Sequence, residues 1–260
     1  MKTLLKSICV CFILALLVGG EVNGGMEERP VTPEGPWRVL NPKELNDLER
    51  KAEGGDIDAI RCLCDYYVFK DSEKAVIFAR KGAKLGDAAL TYLLGITLVT
   101  FEDSKENAEG IAALRKAANQ NYSLAQKALA DCYEYGKGVQ KNLTKAEKWF
   151  RRAAIQGDRI AMVEVVRHLT VRARDISTLT EAHGWTLLIL KRVPSWVKQS
   201  FVDKVYLGQD RILAKAEGFG ADKKTFISRA EEWARREDVN IPMTAPVVGW
   251  SPCKYLDMGG

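Results

Sequence analysis

The six cysteines and two histidines are the residues of this chain with the most distinctive chemistry. Four of the cysteines lie outside the apolar N-terminal segment: Cys62, Cys64, Cys132 and Cys253. If the protein is exported, its oxidising compartment allows these residues to form disulfides, and a bond from Cys253 to one of the other three would hold the C-terminal tail in place. The alternative for Cys64 is a small buried hydrophobic residue. The sequence does not choose among the pairings.

The histidines carry no recognisable catalytic motif. His168 lies late in one predicted helix and His183 early in another, and neither stands in a zinc-protease, nucleophile-elbow or phosphate-loop pattern. We therefore expect surface or capping roles for both, and we predict no catalytic residue. The cysteines do not form the two close ligand pairs that a structural zinc site needs, so we predict no metal and no cofactor.

The charge balance argues against one class of partner. Lys and Arg number 39 against 34 Asp and Glu, which gives a net charge of +5 and a pI near 8.8. The basic residues are scattered among acidic ones and form no block, so we predict no nucleic-acid binding. The hydrophobic content of 47% is typical of a packed globular chain.

The N-terminus has the pattern of a secretory signal. Lys2 and Lys6 precede an apolar run over residues 8–18, which is too short to cross a bilayer. Small residues suitable for cleavage end at Gly20 and Gly24. The cysteines within the run lack the preceding small residue that a lipoprotein signal requires.

These features predict an exported protein. We assign residues 1–24 to a signal peptide and 25–41 to an extended linker, and we expect a bacterial periplasmic location with no stable membrane anchor. The alternative is an uncleaved anchor.

A short phrase recurs along the mature chain. It reads KAEGGD at 51–56, GAKLGD at 82–87, AANQNY at 117–122 and AAIQGD at 153–158, with spacings of 31, 35 and 36 residues. Its Gly or Asn suits the left-handed position after a helix, and the Asp that ends three of the phrases suits the cap of the next helix. The phrase therefore predicts a boundary between successive helical units.

Between the phrases each unit contains two helical runs. In the third unit these are Ser123–Tyr135 and Thr144–Ile155, with apolar residues at helical spacing on one face. Such a face is buried only when neighbouring units stack. The aromatic residues of the repeats, which include Tyr133, Tyr135 and Trp149, are expected in the core.

The third unit, ALADCYEYGKGVQKNLTKAEKWFRRAAIQGD, resembles the Sel1-like repeat, a relative of the tetratricopeptide repeat. The residues that carry this resemblance, for which we expect structural roles, are Tyr133, Gly136, Gly138, Val139, Ala146, Trp149, Ala153, Ala154 and Gly157. The first two units depart from the pattern in the turn between their helices, and a fourth unit opens at Asp158. The resemblance covers about residues 42–192.

The resemblance implies an all-α fold, namely a right-handed α-solenoid of helix-turn-helix Sel1-like repeats over residues 42–192. We predict a helical C-terminal extension over 193–237 and an extended tail over 238–260. Asn41, Pro42 and Glu44 have the pattern of a capped helix start at the beginning of the array.

The family resemblance implies a protein partner, because stacked helical hairpins offer an extended surface without a built-in reaction centre. Some periplasmic members protect their own cell against a phospholipase-type effector of a type VI secretion system. Our sharper hypothesis is such an immunity protein, whose partner is the cognate toxic effector. The alternatives are a general periplasmic adaptor or scaffold and a host-directed virulence factor.

An enzyme is the least favoured interpretation. Relatives described as β-lactamase-like carry a regular cysteine pair in each repeat, which this chain lacks, so we predict that it is not an enzyme. We expect the first helices of the units to hold most partner contacts. Trp250, in the tail, is either a partner-binding residue or is buried where the tail docks.

Overall fold

The computed structural model describes residues 40–68, 70–100, 104–193 and 199–238, and over these ranges the chain has eleven helices and no strand. The predicted signal peptide, residues 25–39 of the linker and the tail beyond Asp238 lie outside the described residues. Among the helices described, none is long and apolar enough to cross a bilayer. The chain divides between Tyr122 and Ser123 into two compact parts. We call them unit 1 and unit 2, and each contains two of the helical repeats.

Unit 1 contains one single helix and two helical hairpins. Its helices are α1 Pro42–Glu53, α2 Ile57–Val68, α3 Ser72–Lys84, α4 Ala88–Thr100 and α5 Ser104–Asn119. The hairpins α2–α3 and α4–α5 pack against each other through α3 and α4, and α1 packs on α2. Leu63, Leu93 and Leu114 are almost fully buried in this core.

Unit 2 contains two more hairpins and the C-terminal extension. Its helices are α6 Ser123–Tyr135, α7 Leu143–Ile155, α8 Arg159–Arg172, α9 Ile176–Arg192, α10 Gln199–Gly218 and α11 Lys223–Asp238. Helix α11 begins at Lys223, because the Asp222 side chain accepts a hydrogen bond from the Thr225 amide and so caps the helix. It packs mainly on α9 and only slightly on α10.

The predicted capped start of the array is confirmed. The Asn41 side chain accepts from the Glu44 amide at 2.9 Å, and the Glu44 carboxylate accepts from the Asn41 amide at 2.9 Å. This reciprocal pair satisfies two helix-terminal amides, and Pro42 needs no amide partner at the first helical position.

The predicted boundaries between helical units are also confirmed. The phrase residues Gly55, Gly86, Asn121 and Gly157 have φ of 87°, 88°, 65° and 90°, the left-handed region that ends a helix. The backbone there is closed by hydrogen bonds such as the one from the Asp158 amide to the Ala153 carbonyl, at 3.2 Å.

The Asp at the end of the phrase caps the following helix, as predicted. Asp56 accepts from the Ala59 amide at 3.1 Å, and Asp158 accepts from the Ala161 amide at 2.9 Å. Asp87 does the same for α4. A missing side-chain cap costs a helix about 1 kcal/mol.

The capping position also receives a contact from the first helix of the preceding unit. The residues at positions 61, 92 and 127 are equivalent by the repeat spacings, and so are those at 87, 122 and 158. In the first pair, Arg61 lies 2.5 Å from Asp87, and in the second the rings of Tyr92 and Tyr122 have centroids 5.5 Å apart. In the third pair, Lys127 attracts Asp158. Burial raises the pKa of Asp158, and Lys127 opposes this shift.

Glycine residues allow close contact between helices at two places, one in unit 2 and one in unit 1. A Cβ added to Gly184 on α9 would lie 2.2 Å from Trp233 of α11, which also contacts Trp185 with ring centroids 5.4 Å apart. A Cβ added to Gly82 would lie 2.1 Å from Leu90. These glycines are therefore required for close packing.

Asp65 is an unusual core residue of unit 1. Its side chain is buried on α2, and burial raises its pKa to about 8 although Arg61 opposes this shift. Arg61 is paired instead with Asp87. The Asp65 carboxyl therefore keeps its proton at neutral pH.

The glycine packing gives a first prediction. Gly184→Ala should destabilise the protein by about 1–3 kcal/mol, because the methyl group overlaps the Trp233 ring. Gly208→Ala is the matched control, because it lies within α10 and no atom lies within 4 Å of its added Cβ; it should stabilise by about 0.5–1 kcal/mol. Urea unfolding followed by circular dichroism measures both. Equal effects of the two substitutions would contradict the packing account.

Asp65 gives a prediction about pH. The folded pKa lies above the unfolded one, so the unfolded state releases its proton first and stability falls as pH rises from about 4 to 8. Asp65→Asn cannot ionise, and its advantage over the wild type should grow across this window to a few kcal/mol and then level off. Urea unfolding at several pH values measures this. Asp58→Asn, on the same helix but half-exposed, should show no such trend.

Candidate functional site

Most of the residues that carry the family resemblance build the hairpin α6–α7. Tyr133, Ala146, Ala153 and Ala154 are buried. Gly136, Gly138 and Gly157 have φ of 76°, 65° and 90° in the turns at the two ends of α7, and Val139 is half-buried beside them. Their positions fit structural roles.

Two aromatic residues of this hairpin differ from the expectation of a core position. Trp149 is only half-buried, with the Arg152 guanidinium 4.6 Å from its ring centroid, while its neighbour Phe150 is fully buried. Tyr135 is 63% exposed, because it is the last residue of α6 and the chain turns away at Gly136. The prediction that Tyr135 packs in the core is therefore wrong.

The cysteines fall into two groups. Cys64 and Cys132 are buried free thiols, and burial raises the pKa of Cys64 well above its usual value and that of Cys132 to about 12. Neither is therefore a ready nucleophile. Cys62 is buried and disulfide-bonded, and Cys253 and Trp250 lie outside the described residues.

Both histidines are buried, so the expectation of surface or capping roles is wrong. His183 packs against Phe226, with ring centroids 5.5 Å apart, and burial lowers its pKa although Glu231 opposes this. His168 packs against Phe150 at 5.6 Å. His168 lies on a helix face that packs against α7, and His183 on a face that packs against α11. The position of each residue within its own helix did not reveal this.

His168 belongs to a charged network that joins α6 and α8. Its Nε2 lies 3.1 Å from Glu134 Oε2, and Glu134 is itself buried. The Arg167 guanidinium donates to Glu134 Oε1 at 2.5 Å and to Glu164 Oε2 at 2.7 Å. Burial raises the pKa of Glu134, but the hydrogen bonds from His168 and Arg167 outweigh this and leave the pKa below its usual value.

The network is the centre of a surface that we call the α6–α8 face. Its members are Asp131, Glu134, Tyr135, Glu164, Arg167 and Val171. Tyr135 and Val171 are its exposed apolar residues, at 63% and 76% exposure. The sequence analysis missed this group, although Glu164 and His168 stand four residues apart on one helix, the spacing at which side chains meet.

Three groups of the network have the donor atoms of a metal site. The nearest ligand atoms of Glu134, Glu164 and His168 all lie within 4.8 Å of one another. Arg167 Nη2 bonds both carboxylates and lies 3.2 Å from His168 Nε2. The guanidinium therefore supplies the positive charge that a metal ion would supply, and the cluster is satisfied by the chain itself.

This arrangement predicts a gain of metal binding when Arg167 is removed. Arg167→Ala should bind Co²⁺ about tenfold or more tightly than the wild type, because the three ligand groups lose their cation. Titration followed by Co²⁺ absorption measures this, and the double variant Arg167→Ala, His168→Gln should lose the gain. Equal Co²⁺ binding by wild type and Arg167→Ala would show that Arg167 does not fill this position.

Comparison with known proteins identifies the repeats. The family model of the Sel1 repeat matches residues 63–87 in unit 1 and 123–158 in unit 2, which include the hairpin α6–α7. A search of curated proteins found no match.

Two solved structures are similar. The first is c5321, a protective antigen present in uropathogenic Escherichia coli strains and displaying an SLR fold, with a TM-score of 0.59 and 24% identity over 76% of this chain. This chain spans 41% of the length of that protein. The second is a Sel1 repeat protein from Oxalobacter formigenes, with a TM-score of 0.40 and 27% identity, covering 47% of this chain and 97% of that one.

The described residues thus form an all-α repeat solenoid, and both units contain a matched Sel1 repeat. The helix-ending phrases and the turn of the third unit agree with this match. The chain therefore contains Sel1 repeats at residues 63–87 and 123–158, and its fold is similar to that of a protein displaying an SLR fold.

Proposed function

We propose that this protein is exported and that it binds and neutralises a toxic effector, as an immunity protein does. The general part of this function follows from the family, because Sel1 repeats form a non-catalytic scaffold for contacts between proteins. The partner, the compartment and the protective role are the proposal.

The observation that carries it is a pair of exposed apolar residues one repeat apart. Tyr135 is the final residue of α6, and Val171 is the penultimate residue of α8; both helices are the first of their repeat. The two residues are separated by 36 positions, which is the spacing of the repeat. Glu134, next to Tyr135, contacts His168, one turn before Val171. Two exposed apolar side chains in register beside a buried charged network have the character of an interaction surface.

Export has support from two features. The first is the signal-like N-terminus over residues 1–24. The second is the disulfide of Cys62, because such bonds persist in oxidising compartments such as the bacterial periplasm.

The contacts of the histidines support binding over catalysis. His168 is hydrogen-bonded with Glu134 and Arg167, and His183 lies 3.4 Å from the Gln209 amide. In the described part of the chain neither ring is hydrogen-bonded to a hydroxyl or thiol that it could activate as a nucleophile.

A co-expression experiment tests the proposal. The product of the adjacent gene is targeted to the periplasm with and without this full chain, and growth and complex formation are measured. We expect the neighbour to arrest growth alone and the chain to restore growth and to co-purify with it in fixed stoichiometry. A harmless neighbour that still co-purified would favour a periplasmic scaffold and contradict the protective role. Recovery of the chain from the medium, with no binding to the neighbour, would favour the virulence alternative.

A variant pair tests whether the first helices carry the binding. The double variant Tyr135→Asp, Val171→Asp should weaken binding by about 100-fold or more, because apolar anchors at the centre of an interface dominate its energy. The matched control is Tyr206→Asp, Leu207→Asp on α10, where the two side chains are 51% and 54% exposed. Pull-down with the captured partner compares them. Loss of binding in the control pair alone would contradict the use of α6 and α8.

A further inference from the structure

The members of the α6–α8 face include three carboxylates, those of Asp131, Glu134 and Glu164, and one guanidinium, that of Arg167. The Arg167 guanidinium is committed to Glu134 and Glu164 by hydrogen bonds. The third carboxylate, Asp131, has Lys127 as its nearest recorded cation, at 3.7 Å between Nζ and Oδ2. This distance is longer than a hydrogen bond.

Lys127 is also shared with a second acid. It is almost fully buried and attracts Asp158, the capping residue of α8, as well as Asp131. Burial raises the pKa of Asp131 to about 6, and the carboxylates of Glu164 and Glu134 add to this shift. Lys127 and, more weakly, Lys137 oppose it. The ionised form of Asp131 is therefore under-compensated in the free protein.

Asp131 remains reachable from solvent. Its side chain is 32% exposed and that of Glu164 is 27% exposed, in contrast to the buried Glu134. A cation brought by another molecule would meet both carboxylates at the surface.

The apolar edge of the face is suited to the same kind of ligand. Burial and the carboxylates of Glu134, Glu164 and Asp131 raise the pKa of the Tyr135 hydroxyl, which lies within their electrostatic reach. Lys137 lies over the Tyr135 ring, with 5.7 Å between Nζ and the centroid. The ring face thus already accepts a cation, and Val171 adds exposed aliphatic surface.

We propose that the α6–α8 face binds a basic segment of the partner protein, in which a Lys or Arg lies against Asp131 and Glu164 and a neighbouring apolar side chain packs on Tyr135 and Val171. This inference rests on the proposed function only in requiring that the chain has a protein partner.

The charges of the face favour this partner over an acidic one. An acidic segment would meet the carboxylates of Asp131 and Glu164, and the Arg167 guanidinium is already bonded to two carboxylates. Such like-charge contacts oppose docking, whereas complementary charge both speeds encounter and fixes orientation.

Site-specific cross-linking tests the location and the chemistry together. p-Benzoylphenylalanine replaces Tyr135 or Val171, and in the controls it replaces Tyr206 or Leu207 on α10. The full chain is irradiated with the partner that co-purifies from the co-expression experiment, and the linked peptides are sequenced by mass spectrometry. We expect links from positions 135 and 171 to a peptide with a Lys or Arg within a few residues of the linked site, and none from the α10 positions.

Charge variants give a second readout. Asp131→Asn and Glu164→Gln should each weaken binding by about tenfold and reduce its dependence on salt, because a charge pair across the interface is lost. Asp210→Asn, an exposed carboxyl on α10, is the matched control and should leave both unchanged. Thermal unfolding of each variant confirms that it is folded before binding is measured.

The outcomes separate this inference from the proposed function. If the wild-type chain binds its partner but the charge variants bind equally well, or the linked peptides are acidic or wholly apolar, the basic-segment inference is wrong and the protein-binding function stands. If the partner neither co-purifies with nor links to the wild-type chain, both are wrong. Weakened binding by Asp131→Asn and Glu164→Gln with links to a basic peptide supports the inference, whether or not that partner is toxic.

Discussion

The turn between the second helix of one unit and the first helix of the next is the feature on which the other contacts depend. Each of these turns places one residue in the left-handed region, at Gly55, Gly86, Asn121 and Gly157. A side chain there costs roughly 1 kcal/mol or more for most residues and less for Asn. At Gly55, Gly86 and Gly157 the chain reverses within so few residues that the next helix lies directly against the one before it. The contact positions there must therefore be small or apolar.

The same turn also determines the electrostatics of the first helices. Asp87 and Asp158 each cap a new helix and also attract a cation from the first helix of the preceding repeat. This cation is Arg61 for Asp87 and Lys127 for Asp158. Each cation has an acid four residues later on its own helix, Asp65 or Asp131, and these acids are equivalent by the repeat spacings. Burial raises the pKa of both acids, and the shared cation opposes this shift only in part.

The two units use this equivalent acid differently. Asp65 is 6% exposed and its pKa of about 8 keeps it neutral, so it is a structural residue of unit 1. Asp131 keeps a third of its side chain in solvent, beside Glu164. The same repeat position is therefore a buried neutral carboxyl at Asp65 in unit 1 and a partly exposed carboxylate at Asp131 in unit 2.

The sequence was sufficient for features that depend on local chemistry. The left-handed residues, the capping Asp residues and the Asn41–Glu44 pair follow from short-range patterns, and all were predicted. The burial of His168 and the exposure of Tyr135 were not, because these depend on which helix face meets a neighbour and where α6 ends. The network of Glu134, Glu164 and Arg167 requires the register between α6 and α8, which no single helix encodes.

The repeat signature and the α6–α8 face are built from different residues. Signature positions such as Ala146, Ala153 and Gly157 are buried or occupy turns, so changing them alters the fold. Asp131, Glu164 and Val171 lie outside the signature, and changing them alters charge and exposed apolar surface while the helices keep their contacts. A scaffold of this kind separates stability from recognition. The family resemblance therefore predicts the fold of this chain, whereas the identity of its partner depends on residues that the resemblance does not constrain.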